Sequence, residues 1–133
     1  MESHSQTNHR IVADAYASFL RGNLEGFLAH FDDSSQLIEA QGLPYGGVYS
    51  GVASIRAALI SIRGFWTDIE FEILDILSND VHVIAYARFA GAGMKSGKRV
   101  ELPIVEVWKM ESSRVRSLTA LYFDTAVAAA AIA

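Results

Sequence analysis

Near Gly64 the hydrophobic pattern of this chain changes period, and that change restricts its fold more than any other feature. Before it, apolar residues recur at helical spacing: Ile11, Val12, Ala15, Phe19 and Leu20 predict a helix over Thr7–Leu20, with Thr7 or Asn8 as N-cap. Leu24, Phe27, Leu28 and Phe31 predict a second, short helix, and Ile55, Leu59 and Ile62 a third over Val52–Arg63. A short strand over Gln36–Gln41 and a glycine-rich loop over Gly42–Gly51 fill the interval. After Gly64 the period falls to two. Trp66–Leu77, Val81–Ala90, Arg99–Met110 and Arg114–Phe123 read as four long strands, divided by Ser78-Asn79-Asp80, Gly91–Gly97 and Glu111–Ser113. The Ala-rich tail from Ala126 reads as a helical turn or a frayed end.

Helices followed by an antiparallel meander imply an α+β fold in which three N-terminal helices cover one face of a curved sheet. With 133 residues, positions 1–133 are expected to form one domain. The chain is 51% hydrophobic and 20% charged, more apolar material than one core needs, so part of it should line a pocket or a subunit contact. The strands are apolar on both faces, as in Ile73-Leu74 with Ile76-Leu77, and the uncovered face predicts a homodimer. A net charge of −4 with scattered basic residues argues against nucleic acid. There is no cysteine and no histidine pair at ligand spacing, so neither a metal nor another cofactor is expected. No stretch is apolar enough for a membrane span, and a cytoplasmic location is the default expectation.

Several phrases bear a family likeness: Gly22-Asn23-Leu24-Glu25-Gly26, Phe31-Asp32-Asp33, Ser50-Gly51 with Ile55-Arg56, and Leu102-Pro103-Ile104. Gly42-Leu43-Pro44-Tyr45-Gly46-Gly47 and Tyr122-Phe123-Asp124-Thr125-Ala126 add to it. In this order they resemble the ketosteroid isomerase-like family, which shares a cone-shaped fold with nuclear transport factor 2 and the SnoaL-like polyketide cyclases. The resemblance implies a pocket between helices and sheet. An ungapped count from Gly22-Asn23 puts the isomerase's carboxylate base on Glu39, its oxyanion tyrosine on Ala15 and its protonated aspartic acid on Val105. On that count the base is kept and both oxyanion donors are lost, so classical steroid isomerisation is not expected. Tyr16 adjoins the lost position, but one residue is about 100° around a helix.

Glu39 lies between Ile38 and Ala40, where it either enters the pocket as a base with a raised pKa or faces solvent. Asp124 shares strand parity with Leu118, Ala120 and Tyr122, and either assists catalysis or caps the Ala-rich tail. Tyr122 is the strongest neutral donor candidate. Tyr16, Tyr45, Trp66, Phe71, Phe89, Val105, Val107 and Leu118 are the candidate substrate contacts, each equally at home in an ordinary core. Glu106, between Val105 and Val107, is expected on the opposite face, paired to Arg88 or Arg116. The leading expectation is an isomerase, cyclase or related lyase that takes a proton from a hydrophobic carbonyl compound. The alternatives are a non-catalytic binder of hydrophobic small molecules and a protein-interaction module.

Overall fold

A computed structural model describes residues 1–133. In chain order the elements are α1 (His4–Leu20), α2 (Leu24–Phe27), β1 (Gln36–Glu39), β2 (Gly47–Ser50) and α3 (Val52–Arg63). Then come β3 (Trp66–Ser78), β4 (His82–Gly93), β5 (Arg99–Glu111), β6 (Arg114–Tyr122) and α4 (Thr125–Ala131). The six strands make one unclosed sheet in the order β2-β1-β6-β5-β4-β3. Every neighbouring pair is antiparallel except β1 with β6, which run parallel through Gln36↔Ser117, Leu37↔Leu118 and Ile38↔Thr119. Register shifts in β3 and between Lys109 and Met110 of β5 mark bulges, and bulges bend long strands.

The α+β expectation stands, with four differences in detail. The first helix begins earlier, because Ser3 rather than Thr7 or Asn8 caps it: Ser3 Oγ accepts from the Gln6 N–H while Gln6 Oε1 accepts from the Ser3 N–H. The glycine loop holds a strand, since Val48 and Tyr49 pair with Ile38 and Leu37. The helices are four rather than three N-terminal ones: α3 follows β1 and β2, and the Ala-rich tail forms α4. Finally, β4 runs on to Gly93, into what reads as a loop, because α4 packs on its end: a Cβ on Gly93 would lie 1.9 Å from the Ala131 carbonyl oxygen.

Period-two alternation decides which side chains face the helices. Val83, Ala85, Ala87 and Phe89 of β4, and Leu102, Ile104, Trp108 and Met110 of β5, point inward and are buried. From α1, Ile11, Val12, Ala15 and Tyr16 meet them, joined by Phe27, Leu28, Phe31 and Ile55 in one core cluster. A second cluster, with Leu43, Tyr45, Trp66 and Phe89, extends beneath α4 through Ala128, Ala131 and Ile132. Truncating a core residue such as Leu118 to Ala would cost about 2–5 kcal/mol. The sheet's outer face has no helix over it and exposes Leu74, Ile84, Tyr86 and Leu121.

Candidate active site

Between α1, α2, α3 and the inner face of the sheet lies a hollow of about 110 Å³, lined by sixteen residues of which thirteen are hydrophobic. The three charged ones are Glu39, Glu106 and Arg63. Glu39 closes β1 with the same parity as Leu37, so its side chain enters the core side and is only 6% exposed. Its Oε1 is buried with no hydrogen-bond partner. Burial raises its pKa to about 8, the Glu106 carboxyl adds to the rise, and a hydrogen bond from Tyr122 opposes it.

Sequence parity placed Glu106 on the far face with Val105 and Val107 toward the pocket, and the structure reverses this. Glu106 lines the hollow while Val105 and Val107 lie on the outer face. The polar flanks carry the true signal: Glu101, Lys109 and Glu111 are exposed and odd-numbered, so the even-numbered set, Glu106 included, faces in. Arg88 and Arg116 pair elsewhere, with Glu72 and Glu101 and with Asp32 and Glu111. Desolvation raises the Glu106 pKa, and its bond to Tyr16 opposes the rise.

Tyr16 is also inside, contrary to the helix-angle argument, because the buried stripe of α1 is wide enough to hold both Ala15 and Tyr16. Its ring stacks on Phe71 at 5.9 Å and meets Trp108 edge-on at 5.5 Å. The Tyr16 hydroxyl donates to Glu106 Oε1 at 2.6 Å and accepts from Trp108 Nε1 at 2.9 Å. An indole N–H can only donate, so it turns the phenol's proton toward the carboxyl. Burial, then the neighbouring Glu106 charge, holds the Tyr16 pKa well above its ordinary value.

A second chain of this kind runs past Glu39 to Tyr122. Trp66 Nε1 donates to the Tyr45 hydroxyl at 3.2 Å, and Tyr45 and Tyr122 hydroxyls lie 2.9 Å apart. Either hydroxyl can donate in that pair, and Tyr122 lines the hollow together with Glu39. Burial raises the pKa of both phenols.

Of the other sequence candidates, Trp66, Phe71, Phe89 and Leu118 line the hollow with Tyr122. Tyr45 does not; it stands behind Tyr122. Asp124 is outside altogether, because β6 ends at Tyr122 and strand parity stops with it. Its Oδ1 accepts from the Val127 N–H and caps α4. Phe19, Phe27, Ile104 and Arg63 also line the hollow, and sequence reading did not single them out. No cluster of three or more His, Cys, Asp or Glu side chains is placed to hold a metal ion, and no helix is long and apolar enough to cross a membrane.

Comparison with known proteins places this architecture. The SnoaL-like domain family matches residues 12–118. The chain belongs to that family. Among solved structures, a nuclear transport factor 2-like protein from Burkholderia thailandensis is 24% identical, with a TM-score of 0.88 over 95% of this chain and 97% of that one. TerC, co-crystallized with polyporic acid, is 18% identical with a TM-score of 0.83 over 95% of this chain and 98% of its own. A hypothetical protein from Catenulispora acidiphila, with a ketosteroid isomerase-like fold and in complex with trimethylamine, is 14% identical with a TM-score of 0.74, covering 92% and 93%. At these identities the SnoaL-like chain shares their fold. No curated protein matches it.

Proposed function

We propose that this SnoaL-like domain binds a hydrophobic carbonyl compound in the hollow and moves a proton on carbon beside the carbonyl. One observation carries the reading: Glu39, buried with an unpartnered Oε1, shares an apolar hollow with a second carboxyl already bonded to a phenol. The ionised Glu39 takes the proton from carbon, and the pair of electrons left behind moves onto the carbonyl oxygen as an enolate. In this scheme Glu106, whose neutral form burial favours, is the carboxyl that carries a proton. Since Oε1 of Glu106 accepts from Tyr16, the acid proton sits on its other oxygen and is available to the enolate. Return of the proton from Glu39 to a different carbon of an enone completes an isomerisation; attack of the enolate carbon on a second carbonyl of the same molecule, whose π pair moves to its oxygen and takes the proton from Glu39, completes a cyclisation. Tyr122 supports Glu39, Tyr16 supports Glu106, and the scheme calls for no cofactor. Tyr16 and Glu106, one position beyond Ala15 and Val105, would stand in for the donors missing there, which favours this reading over a purely binding one.

The test is carbon-acid exchange. Cyclic ketones and enones in D₂O, followed by NMR, should exchange hydrogen for deuterium next to the carbonyl faster with the protein, and Glu39→Gln should abolish the acceleration. Acceleration that survives Glu39→Gln would refute the assignment. Because the Glu39 pKa lies at about 8, the rate should rise with pH through that value and level off above it.

The bare outer sheet face supports a second, independent element of the proposal, homodimerisation. Tyr86 and Leu121 are exposed there, and Phe123 beyond the end of β6 is 79% exposed, a grouping suited to a second copy of the same face. Light scattering should give twice the chain mass, and a monomer at all concentrations would defeat it.

A further inference from the structure

Of the eight arginines in the chain, seven have a side-chain partner. Arg63 has none, and it lines the hollow. It is the last residue of α3, where a cation complements the helix's negative end, and that role alone would suit any basic side chain pointing outward. Its position among the lining residues asks for more. Arg63 and Ile69 are the two exposed residues of the lining, so they mark where the hollow opens. Ile69 is carried there by the irregularity in β3 between Thr67 and Glu70, at which Asp68 takes φ 51°. The hollow therefore has an acidic inner region, at Glu39 and Glu106, and one free guanidinium at its mouth.

Size adds a second restriction. An apolar cavity of about 150 Å³ holds benzene, so the enclosed 110 Å³ takes no more than a single ring or a chain of similar bulk. Anything further must extend through the mouth, past Arg63. We propose that the ligand is a small amphiphilic acid, with a ring-sized apolar body carrying the carbonyl in the hollow and a carboxylate lying on Arg63 at its entrance. The orientation follows from solvation: a carboxylate turned inward would be stripped of water among apolar side chains with no cation to pair it, whereas at the mouth it finds a planar pair of N–H donors matched to its own geometry. This rests on the reading of the hollow as the ligand site and narrows its substrate class.

The experiment compares 4-oxocyclohexane-1-carboxylate with its methyl ester, two ligands of one shape that differ in charge. Binding is followed by NMR titration of the indole N–H resonances of Trp66 and Trp108. The acid should bind about tenfold more tightly than the ester at low salt, and the difference should shrink as ionic strength rises. Arg63→Gln should erase the difference by weakening the acid and leaving the ester unchanged, while Arg63→Lys, which keeps charge but loses the fork, should restore part of it. Equal binding of acid and ester to the native chain, or equal weakening of both by Arg63→Gln, would overturn the carboxylate assignment and leave the hollow as the ligand site. Failure of both compounds to shift either indole would remove the ligand site and this proposal together.

Discussion

Glu39 and Glu106 stand in the same hollow, each near phenols anchored by an indole N–H, and yet the two surroundings differ. At Glu106 the phenol of Tyr16 binds the carboxyl directly at 2.6 Å, with Trp108 behind it. Near Glu39 the chain from Trp66 runs through Tyr45 to Tyr122, and Oε1 of the acid is left bare. The bond from Tyr16 offsets part of what burial does to Glu106, whereas the bare Oε1 of Glu39 leaves that acid neutral up to about pH 8 and, once it is ionised, open to a proton from whatever enters. Environment rather than residue type separates the two roles in the proposed scheme, since both are glutamates.

Removing the open oxygen's basicity should produce the largest effect. Glu39→Gln is expected to lower carbon-acid exchange by at least about 100-fold, the usual scale for a general base. The same variant sharpens the comparison through stability. A group whose pKa is about 8 when folded, above its usual 4.5, favours the fold fully below 4.5 and loses that contribution as pH rises through 8. Stability should therefore fall between those values by up to roughly 1.4 kcal/mol per pH unit, and Glu39→Gln should flatten that part of the profile in urea titrations.

Tyr16→Phe attacks the other relay and should come next. It removes the donor to Glu106 and strands the buried Trp108 N–H, which costs about 1–3 kcal/mol of stability. If Tyr16 supports the enolate through Glu106, exchange should fall by about 100-fold or less; an unchanged rate with lowered stability would reduce Tyr16 to a packing residue. Tyr45→Phe is the milder counterpart on the Glu39 side. It strands the Trp66 N–H at a similar stability cost. Because Tyr122 stays in the lining with Glu39, exchange should drop only a few-fold, and a loss as large as that of Glu39→Gln would show that the two phenols act as one unit.

The contrast between the relays also explains what could be read from sequence. Glu39 was half legible: the family count singled it out and left pocket or solvent open, and the burial of Leu37, two positions earlier on β1, goes with the inward choice. Glu106 was not, because a charged residue inside an apolar run reads as surface, and the rule that charges face out fails where a pocket wall is the surface. The polar ends of β5 outvote its one interior glutamate. On α1 the error came from treating the buried face as a line: a stripe that includes Ile11 with Val12 already spans adjacent positions, so Ala15 and Tyr16 follow together. The relays join residues from 21 to 92 positions apart, and no local pattern encodes such pairs. The order of elements, by contrast, follows from hydrophobic period and turn residues that act within a few positions of each other.

The smallest expected effect belongs to the residue that strand parity would have put beside Tyr122. Asp124 accepts from the Val127 N–H in the first turn of α4, a short Ala-rich helix with no acidic residue in that turn. A cap of this kind contributes about 0.5–2 kcal/mol. Asp124→Ala should therefore cost stability of that order in thermal or urea unfolding, Asp124→Asn or Ser should recover most of it, and carbon-acid exchange should stay at the native rate with all three. A selective loss of exchange in Asp124→Asn, with stability intact, would bring Asp124 back into the site and would require the end of β6 to continue past Tyr122 when ligand is bound.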